Sequence, residues 1–97
     1  MAALSPSSLP FLGAGLGYRR AIRPFYAAHR GHLGFLEVMP EHLLEATPEA
    51  RADLVQDCSR FPVVTHSVTL SIGTAAGPDR AFLPKMARIN RRFKVPW

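Results

Sequence analysis

The side chain best suited to chemistry is His66, in the middle of residues 62–73, which read PVVTHSVTLSIG. Imidazole can bind a metal, carry a proton or rest as a hydrogen-bonded core group, and burying it unpartnered costs about 1–3 kcal/mol. A lone strand histidine is more commonly satisfied by backbone or a nearby acid, and a stable metal site needs three or more ligands. Strand alternation sets Val64, His66, Val68 and Leu70 on one face and the hydroxyls of Thr65, Ser67, Thr69 and Ser71 on the other. His66 is thus expected on an aliphatic face shielded from water, where a neutral imidazole suits a metal.

Glu37 is the second candidate, mid-strand in FLEVMP. A buried carboxylate there has to be paired, near a metal or turned to solvent. Glu41 and His42 follow the strand and read as a loop pair exposed to water. Gly13, Gly15 and Gly17 precede Tyr18 and Arg19, and Arg19 could meet a substrate carboxylate. The glycines lack both the dinucleotide spacing and the lysine-serine ending of a phosphate loop, which argues against a nucleotide site.

Positioning these residues takes alternating strands and helices. An apolar run into the glycines, LPFLGAGLGYR, predicts strand one ending in a tight turn or a close backbone approach. Ile22, Phe25, Tyr26 and His29 predict a short helix starting near Pro24. FLEVMP is strand two, stopped by Pro40. Thr47 as N-cap, Pro48 and Glu49 open the clearest helix, with Leu54, Val55, Cys58 and Phe61 on its apolar side. Strand three covers PVVTHSVTLSI, a helix begins at Pro84, and KVPW could start another strand. This βαβαβα order is the grammar of a parallel sheet, and the fold class is α/β. Residues 1–8 read as a flexible leader and 9–97 as one domain.

Composition bounds the function. The 97 residues, 47% hydrophobic, are enough for a single modest core. Twelve Lys and Arg against seven Asp and Glu leave a charge of +5, gathered toward the C-terminal end. There Lys85, Arg88 and Arg92 form a stripe opposite Phe82, Met86, Ile89 and Phe93. That stripe supports a rival reading, a small nucleic-acid-binding module, although a solvated helix face is the commoner meaning and no recognised reader motif accompanies it. One cysteine, Cys58, excludes an internal disulfide and fits a reducing, cytoplasmic setting. No apolar run nears the ~20 residues of a membrane span, and the first residues do not read as a secretory signal.

LPFLGAGLGYR, FLEVMPEH and FPVVTHSVTLSIG, in this order and at these separations, resemble the N-terminal part of the multinuclear non-haem iron-dependent oxidative enzymes. That family modifies residues, typically cysteines, of ribosomally made precursor peptides in natural-product biosynthesis. The resemblance runs from about residue 9 to residue 97. It implies a TIM (β/α)8 barrel of which this chain holds the first three βα units and the start of a fourth strand. It also implies iron held near the C-terminal ends of barrel strands, with His66 matching a family ligand and strand two also lining the barrel around Glu37. Tyr18 and Arg19 would stand near the barrel mouth. The implied partners are the precursor peptide, a companion recognition protein and the rest of the barrel. A chain of this extent is expected to be inactive alone and to hold iron weakly, and a truncated product without activity is a further alternative. Ser67 and Thr69 depart from the family pattern, which has glycine and serine at these places, and His42 stands where asparagine is common.

Overall fold

The computed structural model describes residues 8–96. The leader expected over 1–8 therefore lies, except for Ser8, outside the described residues. Three short strands, β1 (Gly15–Gly17), β2 (Phe35–Val38) and β3 (Val63–Thr65), form a parallel sheet in the order β1-β2-β3. Between and after them run helices α1 (Arg23–Ala28), α2 (Pro40–Glu45), α3 (Pro48–Cys58) and α4 (Leu83–Arg92). The α/β class and the parallel sheet hold as expected, and the arrangement is compatible with part of a TIM-like unit.

Alternation in β2 decides which face is dry. Leu36 and Val38 are essentially inaccessible, whereas Phe35 and Glu37, on the other face, are partly exposed. Val38 and Val63 pack with Leu43 of α2, Leu54 and Cys58 of α3 and Ile89 of α4, while Leu36 packs with Tyr26 and Phe61. Each fully buried aliphatic side chain contributes about 1.5–3 kcal/mol, so this helix-backed face holds the fold together. Burial and the neighbouring Asp57 charge push the Cys58 thiol up to about 12, which leaves it a packing group and not a nucleophile.

Two helices start where the sequence says. Pro24 lies in the first turn of α1, and Pro48 in that of α3, where Thr47 Oγ1 accepts the Ala50 amide at 3.2 Å. The third anticipated helix, α4, begins at Leu83, one residue before Pro84.

Four expectations change. Strand one is not the apolar run before the glycines but the glycines themselves. A Cβ on Gly15 would collide with Phe35, and one on Gly34 with the Leu12 carbonyl, so the β1–β2 approach requires their absence. Strand three stops at Thr65 and does not run to Ile72. Beyond it the His66 amide still reaches the Val38 carbonyl at 3.0 Å, but β2 ends there and the next amides turn to a side chain. Pro40, read as a strand stop, is also the first residue of α2, because a proline that cannot extend a sheet is preorganised for a first helical turn. The stub expected at KVPW forms no strand among the described residues, and Lys94 there adopts φ 53°. No helix among the described residues is long and apolar enough to cross a membrane.

Candidate functional site at the C-terminal ends of β2 and β3

Parallel register pairs Glu37 with Val64 on β3 and with Gly17 on β1, all on the sheet face that carries no helix. His66, two residues past Val64, follows on the same side. Its Nδ1 donates to Glu37 Oε1 at 3.3 Å, and the side chains are 59% and 43% exposed. The expectation that His66 is shielded from water is thus corrected: in this chain the pair faces outward. A carboxylate accepting at Nδ1 fixes the hydrogen on that nitrogen and leaves the Nε2 lone pair free for a metal or a proton.

The loop after His66 is held by a residue that sequence reasoning placed in solvent. Glu41, on the first turn of α2, is buried at 8% exposure. Its Oε1 accepts from the Ser67 hydroxyl at 2.5 Å, the Val68 and Thr69 amides at 3.0 and 3.2 Å, and the Thr69 hydroxyl at 3.0 Å. Burial alone would raise the Glu41 carboxyl, but these hydrogen bonds outweigh it and hold the group at about 2. Its other oxygen, Oε2, is buried without a hydrogen-bond partner among the described residues. The reading of Glu41 and His42 as an exposed loop pair is corrected: both lie on α2, and only His42 is exposed.

The hydroxyls along this stretch are now accounted for. Thr65 Oγ1 donates to Asn90 Oδ1 of α4 at 2.8 Å, Ser67 and Thr69 serve Glu41, and Ser71 bonds the Thr69 carbonyl at 3.2 Å. Ser67 is itself a donor to Glu41. The signal available in sequence was a hydroxyl at 67 and another at 69 flanking consecutive amides, a set of donors that asks for an anion.

Tyr18 and Arg19 lie apart from this cluster. The Tyr18 hydroxyl donates to Asp57 Oδ2 of α3 at 2.9 Å, and burial first, then that bond and charge, push its own ionisation well above the usual range. Arg19 is exposed, and its backbone amide donates to the Tyr26 hydroxyl at 2.7 Å. Lys85, Arg88 and Arg92 are exposed on α4, on the helical side of the molecule. The structure therefore brings His66 and Glu37 together and leaves the other candidate residues elsewhere. Among the described residues no group of three or more His, Cys, Asp or Glu side chains could hold a metal. An imidazole and a carboxylate are donors that suit iron, so the pair fits as part of a ligand set without completing one.

Parallel strands backed by helices on one face, with a histidine just past the end of β3 meeting an acid of β2 on the other, define an α/β protein with an open three-stranded sheet. Residues 13–97 match the family described as RiPP precursor modification enzyme MbnB/TglH/ChrH, and the chain belongs to that family. It is similar to UPF0276 proteins of Pasteurella multocida, 37% identical over 86% of this chain and 28% of that protein, and of Haemophilus influenzae, 37% over 73% and 24%. A UPF0276 protein of Nitrosospira multiformis is 32% identical over 84% of this chain and 29% of its own length. The chain thus spans less than a third of these curated relatives.

Proposed function

We propose that this chain forms the first three βα units of a TIM-type barrel whose enzyme oxidatively modifies residues, typically cysteines, of a ribosomally made precursor peptide. The remaining barrel strands, further iron ligands and a companion peptide-recognition protein are the partners of that reading. His66 presents Nε2 as an iron ligand, and Glu37 holds its Nδ1 hydrogen and so fixes the tautomer and ring. The iron, when bound, supplies the redox chemistry. Glu41 keeps residues 67–69 in place and thereby fixes where His66 leaves β3. The observation that supports the reading is the Glu37–His66 hydrogen bond on the helix-free face, joined to family membership over residues 13–97.

Ferrous iron added anaerobically to isotope-labelled chain tests it, because the paramagnetic ion broadens NMR signals near its site. Broadening is expected around His66 and Glu37, lost in His66→Ala and weakened about tenfold or more in Glu37→Ala. The assignment fails if the pattern survives His66→Ala. It fails equally if broadening centres on His29 and His32, the other close histidines, with ring centroids 6.3 Å apart.

A further inference from the structure

On the helical side, α2, α3 and α4 leave an open groove of about 420 Å³ between them. Its floor is apolar, with Ile89 buried and Leu44 42% exposed. Its rim is entirely cationic: Arg51 from α3, and Lys85, Arg88 and Arg92 from successive turns of α4. None of these four forms an ion pair among the described residues. The acids that could have served them are used elsewhere or do not line the groove. Asp53 and Asp57 bind Arg20 and Arg23, Glu41 binds the residue 67–69 loop, and Asp79 accepts the Ala81 and Phe82 amides ahead of α4. Four like charges around an apolar strip repel one another and gain from an anionic occupant.

We propose that this groove binds an acidic amphipathic helical segment of a partner protein, with carboxylates on the rim and an aliphatic side chain on Leu44 and Ile89. Charge complementarity selects the acidic class, and the floor selects an amphipathic member of it. Single-stranded nucleic acid would also meet the charge, but it gains its stacking energy from aromatic side chains, and none lines the groove. A second copy of this chain is disfavoured because it carries the same net charge of +5. The groove stands apart from His66 and Glu37, and the inference does not depend on the reading of that pair.

The test is fluorescence anisotropy of the 97-residue chain with a labelled synthetic helical peptide bearing leucine on one face and glutamate on the other. Two further probes are its leucine-to-serine counterpart and a single-stranded RNA of equal charge. The leucine peptide should bind at least about tenfold more tightly than either, since both floor and rim contribute. Lys85→Glu with Arg88→Glu should weaken it by about tenfold or more, and Leu44→Ser by about threefold. Arg51→Glu, on a different helix, gives an independent charge reversal should the α4 double variant lose its circular dichroism, and it should weaken binding in the same sense. Equal binding of the serine peptide would reduce the site to bare charge and overturn the proposal. RNA binding as tight as the leucine peptide would replace it with a nucleic-acid surface, and indifference to all three sets of variants would place the peptide elsewhere.

Discussion

Among the described residues two carboxylates are buried, and their surroundings are opposite in kind. Asp57 of α3, 6% exposed, meets a cation: Arg23 Nε lies 2.7 Å from its Oδ2, and Tyr18 adds a hydroxyl at 2.9 Å. Arg23 reaches Asp53 as well, at 2.9 Å, and Arg20 joins Asp53 at 2.8 Å, so charge is neutralised along the belt joining the start of α1 to α3. Glu41 meets only neutral donors, two hydroxyls and two amides, and keeps its negative charge beside the chain that leaves His66. A neutralised pair is scaffold. A charge held by dipoles alone is sensitive to pH and transmits that sensitivity to whatever its donors support.

The largest expected difference comes from acid. The Glu41 carboxyl, ordinarily near 4.5, is lowered to about 2 in the fold. Its stabilisation is therefore fully present above about 4.5 and is lost as pH falls toward 2, on the order of 3 kcal/mol in all. Urea unfolding across that window should show this loss in the native chain and most of it gone in Glu41→Gln, whose stability should already be lower at neutral pH. An unchanged acid limb in Glu41→Gln would show that the pH response comes from elsewhere.

Arg23→Ala attacks the other carboxylate. It strips Asp57 of its cation while leaving it buried, and because the Arg23 side chain is 27% exposed and Tyr18 still donates, a loss of roughly 2–3 kcal/mol is expected at neutral pH. The His66 ring signals should barely move, since the belt lies on the other side of the sheet. A shift of the His66 resonances as large as that in Glu41→Gln would erase the distinction between the two regions. Tyr18→Phe should have the smallest effect, about 1 kcal/mol for one hydrogen bond to a charged partner that retains its guanidinium. A thermal melt lowered more by Tyr18→Phe than by Arg23→Ala would mean that the hydroxyl, and not the cation, keeps Asp57 buried.

Much of the frame was readable in order along the chain. Proline in a first turn, a threonine cap and three-to-four spacing of apolar residues are local signals, and α1, α3 and α4 start within a residue or so of where these place them, although α3 stops at Cys58, short of Phe61. Period-two alternation is local as well: it puts Val64 and His66 on one side, and the same period in β2 sets Glu37 opposite the buried Leu36 and Val38. Strand three is shorter than its β-branched run for a reason that local signals do not contain. β-branched residues at 63–70 favour extended backbone, but a strand lasts only as long as its neighbour, and β2 ends at Val38.

What the sequence by itself determined is the set of residue types, the alternating elements and the family pattern around His66, because each depends on neighbours within a few positions. What only the tertiary structure decided is which of those residues meet. Glu37 finds His66 across 29 positions, and Glu41 finds its donors across 26 to 28, through the parallel pairing of β2 with β3 and the turn that Pro40 imposes. Whether a carboxylate is dry and charged or wet and loosely held is a property of that meeting, since burial and hydrogen-bond donors are supplied by chain distant in sequence.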